Sequence, residues 1–350
     1  MLRFIIRRVL GFIPVLLAVI IVTFFLARII PGGPFDFIGD KSLPPSVVKN
    51  LEAKYHLDWP AWKQFISYMV GDEWKIGSFT VFDLDPNAPA HSYGVLRGDL
   101  GPSFRYRGQT VNDIIGRTFP LSAQLGVMAI ILGLVIGIPA GIISALKQNS
   151  WLDYTATFVA VLGVSIPSLV MAPLLIWIFS IELGWFPAAT WGAKPPYIQN
   201  MFLTPGFDWG NYFIHAAMPV FALGTGLSAT FARLMRASLL QVIREDYIRT
   251  ARAKGLHERV VIYRHALKNG LIPVVTVIGP MFAGLITGTL VIEQIFGLNG
   301  MGKHFVQSIT NRDYAVVLGT ILVYTIILVF SNLLVDLAYG WLDPRIRLDA

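Results

Sequence analysis

The sequence predicts an all-α membrane protein with six transmembrane helices and an extracytoplasmic domain between helices 1 and 2. Only 14% of the 350 residues are charged and 55% are hydrophobic, whereas a soluble domain carries about 25% charged residues. The apolar residues concentrate in six runs without Asp, Glu, Lys or Arg: Val9–Ala27, Thr118–Leu146, Tyr154–Ile181, Trp209–Ala232, Asn269–Ile292 and Tyr314–Val335. Each has at least 19 residues, and about 20 helical residues cross a bilayer core of about 30 Å. The cations are dense in alternate links between these runs, as a membrane topology requires.

Helix 1 follows Arg3, Arg7 and Arg8. Arginines before an apolar run also open a secretory signal peptide. This run is long for a signal core, however, and ends in Ile29-Ile30-Pro31-Gly32-Gly33-Pro34 with no small-x-small cleavage pattern, so it reads as a retained helix. The short link between helices 2 and 3 carries Lys147. Between helices 4 and 5, Arg233, Arg236, Arg244, Arg249, Arg252, Lys254, Arg259, Arg264 and Lys268 face only Glu245, Asp246 and Glu258, and Arg345 and Arg347 lie in the tail. With six alternating helices these segments share one side, which the positive-inside rule makes cytoplasmic, and both termini lie there. The net charge of +7 thus follows from topology and calls for no nucleic acid. The absence of cysteine excludes disulfides and thiolate metal sites and leaves the redox compartment undetermined.

The links on the opposite side differ. Residues 31–117 carry nine Lys or Arg against ten Asp or Glu. Within them Pro44–Val70 has helical periodicity in Val47, Val48, Leu51, Tyr55 and Leu57, a break at Asp58-Trp59-Pro60, and a second helix that Pro60 can start. Both helices are amphipathic and suit the membrane surface. Gly71–Arg97 reads as irregular, with Asp85-Pro86-Asn87 and Pro89 in loop. The link Glu182–Asp208 is rich in Trp, Pro and Gly and suits a membrane interface. The resulting division is an N-terminal transmembrane helix (1–30), an extracytoplasmic segment (31–117) and a five-helix core (118–350) that includes a cytoplasmic loop (241–268).

Carriers driven by ion gradients place ionisable residues near mid-membrane. Here His215, Glu182, Glu293 and Asp336 sit at or near helix ends, which reads as interfacial placement. No Ser-His-Asp set, no His-Glu-x-x-His run and no carboxylate pair on a membrane-helix face supports an enzyme. Gly133, Gly137, Pro139, Pro167, Pro173, Pro219 and Gly224 lie inside the spans. Two readings of them stand: close helix packing, or kinks that line and gate a path.

The stretch "EDYIRTARAKGLHERVVIYRHALKNGLIP" (Glu245–Pro273) is polar and cationic, yet has helical periodicity on both sides of Lys254-Gly255-Leu256. Gly255 fits a helix C-terminal cap. Two short helices projecting from the membrane suit insertion into a groove on another protein. Ile248, Ala251, Ala253, Leu256, Val260 and Val261 recur where a merely solvated loop would not need them.

This loop resembles the coupling loop of ATP-binding-cassette importer membrane subunits, with the pattern E-A-A-x3-G-x9-I-x-L-P. Gly255, Ala251 and Leu267 match it, and Arg249, Thr250, His265 and Lys268 depart from it. "YIRTARAKGL" followed by "RHALKN" is the form of the dipeptide, oligopeptide and nickel permeases. Pro31-Gly32-Gly33-Pro34, "GDLGPSF" (Gly98–Phe104), "ALKQNSWLDY" (Ala145–Tyr154), "NRDYAVV" (Asn311–Val317) and "LDPRIR" (Leu342–Arg347) agree, and about residues 72–96 stand outside the resemblance. The chain is similar to the B-type permease subunit of that family.

The resemblance implies type I importer topology and half of a translocation pathway for peptides in the inner (cytoplasmic) membrane. It also implies a homologous C-type permease, two cytoplasmic ATPases that bind ATP and Mg, and an extracytoplasmic solute-binding protein. The chain itself would then be non-catalytic and hold no cofactor and no metal. Glu245, Asp246, Tyr247, Arg249, Thr250, Ala251, Arg252, Ala253, Lys254, Gly255 and Leu256 would dock into an ATPase. Oligosaccharide or nickel as cargo, and a stand-alone ion-coupled carrier, are the alternatives. His56 and His91 of the outer segment show no metal-ligand spacing, which favours peptide over nickel.

"GLNGMGKH" (Gly297–His304) fits seven of the eight places of G-x-x-x-x-G-K-[ST]. A phosphate loop follows a buried strand and needs the hydroxyl that His304 replaces. This one follows a membrane helix on the outer side. It reads as a tight turn before a short helix, Lys303–Thr310, with Gly297, Asn299, Gly300, Met301 and Gly302 as candidates for an outer gate or binding-protein contact.

Overall fold

The computed structural model describes residues 2–29, 32–35, 37–38, 41–42, 44–76, 79–84, 94–189 and 208–342. Asp85-Pro86-Asn87, Pro89, His91, Trp191, Arg345 and Arg347, on which sequence readings rested, fall outside them. The described chain is mostly helical. Among the described residues five helices are long and apolar enough to cross a membrane: α1 (Leu2–Ile29), α4 (Val111–Leu146), α7 (Trp209–Val242), the stretch Ile272–Ile295 and α14 (Tyr314–Leu342). A sixth stretch is the pair α5 (Trp151–Ser165) and α6 (Ser168–Leu175), the latter running on as a π-turn to Glu182, bent by 97° at its break. The bend falls at Ile166-Pro167, because proline drives the residue before it out of helical φ/ψ.

Other boundaries follow local chemistry in the same way. Ser150 caps α5 by accepting from the Asp153 N–H, and Asp208 caps α7 by accepting from Asn211. α1 already includes Arg3, Arg7 and Arg8, which were expected to precede it. In the outer segment α2 (Pro45–Lys54) and α3 (Ala61–Val70) lie where the periodicity places them, with Pro44 and Pro60 as N-caps. Part of Gly71–Arg97 is not irregular. β3 (Glu73–Ile76) and β4 (Phe79–Asp83) form an antiparallel ribbon, as do β1 (Phe37–Ile38) and β2 (Lys41–Ser42). In β3 and β4 Trp74 opposes Phe82, a cross-strand aromatic pair of the kind that stabilises ribbons.

The chain divides into two compact units. One comprises Met1–Phe12, Phe119–Gly300 and Ile326–Ala350, and the other Ile13–Thr118 and Met301–Thr325. In the first, α4 packs through a stripe of glycines. A Cβ on Gly126 would stand 2.8 Å from the Ile286 backbone nitrogen, one on Gly137 2.5 Å from the Ser228 carbonyl oxygen, and one on Gly141 2.6 Å from that of Ala232. Gly133 and Gly224 are equally crowded. These glycines let helix backbones approach, so packing accounts for them.

Candidate functional site

The coupling segment is built on the end of α7, which continues to Val242 and carries Arg233 and Arg236 within it. After a turn, Glu245 stands as N-cap of α8 (Asp246–Ala253), and Asp246 in the first turn suits the helix dipole. Ile248 and Ala251, one turn apart, are buried against Leu239, Val261, Ala266 and Val274. The Tyr247 hydroxyl accepts 2.8 Å from the Asn269 amide. This face fastens α8 to α7 and to the helical stretch formed by α9 (Glu258–Val260), the π-turn Val261–Ala266 and α10 (Leu267–Gly270). The other face, with Asp246, Arg249, Thr250, Arg252 and Ala253, is exposed, as are Lys254, Gly255 and Leu256. Beside its start lies an open recess of about 560 Å³ lined by Ala237, Leu240, Gln241, Arg244, Glu245 and Asp246.

Gly255 ends α8 at φ +77°, and its N–H donates to the Arg252 carbonyl over 2.9 Å. Arg252 then closes the loop with a two-pronged pair to Glu258, Nε to Oε2 at 3.1 Å and Nη2 to Oε1 at 2.7 Å. The guanidinium holds the Glu258 carboxyl below its ordinary value of 4.5. A lowered carboxylate contributes above the ordinary value and loses that contribution as pH falls through the lowered one. Glu258→Gln is therefore expected to speed amide exchange in residues 252–260 about two- to fivefold at neutral pH, the size of an exposed pair. After correction for the pH dependence of intrinsic exchange, acidification through the lowered value should bring the native loop to the variant's protection, and equal rates at neutral pH would refute the closure.

A second polar cluster lies one and a half turns or more up α7. Arg236 donates to both Asp153 oxygens, Nε to Oδ1 and Nη2 to Oδ2, each at 2.7 Å. It also donates to the Ser144 hydroxyl at 2.9 Å, and that hydroxyl in turn bonds Asp153. The Asn149 N–H adds a bond to Oδ2 at 3.0 Å. Asp153 is 2% exposed. The α4–α5 turn is thus clasped to α7. Sequence reasoning missed this clasp because Asp153 and Arg236 are 83 residues apart and each looks like an ordinary link charge.

At the other candidate site, α11 (Ile272–Ile286) breaks at Thr287-Gly288-Thr289, and α12 (Leu290–Ile295) follows. No strand precedes "GLNGMGKH", so the segment lacks the geometry of a phosphate loop. Gly297 (φ +63°) and Asn299 are exposed, and Gly300 is buried. Met301 and Gly302 do not belong to the turn: they open α13 (Met301–Thr310), two residues earlier than expected, and are buried.

Glu293 is fully buried, where interfacial placement was expected. The Ser122 hydroxyl donates to its Oε1 at 2.7 Å, and a Cβ on Gly300 would fall on its carboxylate. Gly300 is glycine because that carboxylate occupies the space. Gly300→Ala is expected to lower stability by about 1–3 kcal/mol, as overpacking does, read as a fall in detergent-phase melting temperature. No change would mean the carboxylate moves aside freely. His215 and Glu182 are held locally, His215 Nδ1 lying 2.8 Å from the Asn211 carbonyl and Glu182 accepting from Trp177 at 3.1 Å, whereas Asp336 of α14 pairs with Arg8 of α1 at 2.9 Å.

Comparison with known proteins identifies what these features belong to. The family described as binding-protein-dependent transport system inner membrane component matches residues 137–348, and its N-terminal family matches residues 1–126. The chain belongs to this family. The inner-membrane component is 43% identical over 347 residues to the oligopeptide transport system permease protein OppB of Salmonella typhimurium, covering 99% of this chain and all of the relative. It is 41% identical over 348 residues to the dipeptide transport system permease protein DppB of Bacillus subtilis, covering 99% of each. A solved methionine ABC transporter, MetNI, in inward-facing conformations, matches with a TM-score of 0.48 and 18% identity over 64% of this chain and 96% of that one. The inner-membrane component is accordingly a multi-pass protein of the cell inner membrane and a permease subunit of a binding-protein-dependent transport system.

Proposed function

We propose that this chain forms half of the translocation pathway of an ATP-driven peptide importer and alternates access under the control of partner ATPases. The observation that carries the reading is identity above 40% along the whole length of permeases named for oligopeptide and dipeptide transport. In this reading the bent pair α5–α6 is one broken span, which makes six, and both termini are cytoplasmic. A homologous C-type permease supplies the other half of the path. Two cytoplasmic ATPases bind ATP and Mg, and an extracytoplasmic binding protein delivers the peptide. No cofactor is held by this chain.

The exposed face of α8 and the Lys254–Leu256 turn dock into one ATPase. Ile248 and Ala251 are buried on the α7 end, and Arg236 clasps α7 to the α4–α5 turn. A push on α8 therefore moves these elements together, so the partner's nucleotide state biases a two-state balance of the membrane helices. Gly297, Asn299 and Gly300 lie on the outer side of α12, next to the gate or the docked binding protein.

The test is reconstitution of this chain with its partner permease, ATPases and binding protein in liposomes. ATP-dependent uptake of labelled tri- or pentapeptide is expected, with none when the ATPases are omitted. Uptake of oligosaccharide or nickel in place of peptide would overturn the cargo. Uptake without ATPases would overturn the mechanism.

A further inference from the structure

In the unit formed by Ile13–Thr118 and Met301–Thr325, Arg28 stands in the last turn of the apolar helix α1. Its Nε donates to Gln64 Oε1 at 2.9 Å, Nη1 donates to the Phe24 carbonyl at 3.1 Å, and the guanidinium lies 3.4 Å from the centre of the Phe24 ring. Among the described residues Arg28 forms no ion pair. A half-buried cation with only neutral partners is costly unless an anion completes it. A cavity of about 80 Å³ lies against it, lined also by Gln64, Ser67, Tyr68 and Asp72. The Tyr68 hydroxyl is buried and has no hydrogen-bond partner. Asp72, 3% exposed and bonded by the Ser67 hydroxyl, brings a carboxylate to the same space.

A simple anion would be drawn to Arg28 and Tyr68 and repelled by Asp72. A zwitterion answers all three. α1 is a membrane span and Arg28 closes it, so the cavity sits at the level where lipid headgroups lie. Trp62 of α3, 62% exposed on the same unit, suits that belt. We propose that this cavity receives the headgroup of a phosphatidylethanolamine molecule, its phosphate on Arg28 and Tyr68 and its ammonium on Asp72. The bound lipid would fix the end of α1 to α3 and make the outer segment sensitive to the leaflet that surrounds it.

The experiment uses the intact importer in nanodiscs of phosphatidylethanolamine with phosphatidylglycerol, followed by detergent washing and native mass spectrometry of retained lipid. Retention of phosphatidylethanolamine in preference to phosphatidylglycerol is expected, falling about tenfold in Arg28→Gln. Tyr68→Phe, which leaves no buried charge unpaired, should also lower it, and Asp72→Asn should shift preference towards phosphatidylglycerol. Equal retention of the two lipids by the native protein would overturn the proposal, as would unchanged retention in both Arg28→Gln and Tyr68→Phe. Displacement of the lipid by millimolar dialanine would instead make the cavity a peptide subsite, which also overturns it.

Discussion

Asp153→Ala is expected to destabilise the protein by about 1.5–3 kcal/mol, the cost of losing charge-assisted hydrogen bonds to a buried carboxylate whose Arg236 partner stays one-third exposed. The carboxylate is 2% exposed and accepts from Arg236, Ser144 and the Asn149 N–H. Its removal strands a guanidinium that has no other acidic partner among the described residues. Asp153→Asn keeps the shape and part of the bonding, so it should cost less. The double change Asp153→Leu with Arg236→Met removes both charges and should recover much of the loss, because the pair's desolvation cost disappears with it. Thermal unfolding in detergent checks the series. A cost for Asp153→Ala within 1 kcal/mol of zero, or a double variant as poor as the single, would show that the clasp contributes little. If the clasp also transmits α8 movement, the double variant should fold yet import poorly.

Gly255→Val is expected to reduce ATP-driven uptake at least tenfold while membrane insertion and pairing with the second permease persist. The residue sits at φ +77° on the exposed turn after α8. A side chain there costs roughly 1–2 kcal/mol of backbone strain, and more when β-branched, too little to unfold the chain. Within the chain a Cβ would meet no atom within 4 Å. Loss of uptake must therefore come from a changed turn or from a partner's surface. Gly255→Asn separates the two, since asparagine adopts positive φ at small cost. Uptake retained in Asn but not in Val points to the turn, and loss in both points to steric fit against the ATPase. Undiminished uptake in Val would remove Gly255 from the coupling path. Co-purification of the ATPases with each variant shows whether docking or only its consequence is lost.

Much of the architecture was legible because its causes are local. A run without charges spanning about 30 Å is a property of composition. Pro44, Pro60 and Gly255 act on their own φ/ψ or their neighbours', so the outer helices and the end of α8 could be read residue by residue. Of the six apolar positions that set this loop apart in the sequence, Ile248, Ala251 and Val261 are buried, while Ala253, Leu256 and Val260 are exposed. The β3–β4 ribbon escaped notice because four- and five-residue strands carry little pattern of their own.

The chain's order of residues thus decided the spans, the caps, the cationic links and the family. Only the folded chain decided which charges are structural. Glu293 lies at a helix end in the sequence and is enclosed beside Ser122 in space, 171 positions away. Asp153 and Arg236 read as separate link charges and become one clasp. Such choices depend on which distant group removes water from a side chain, and burial is a property of the assembled packing that no local pattern encodes.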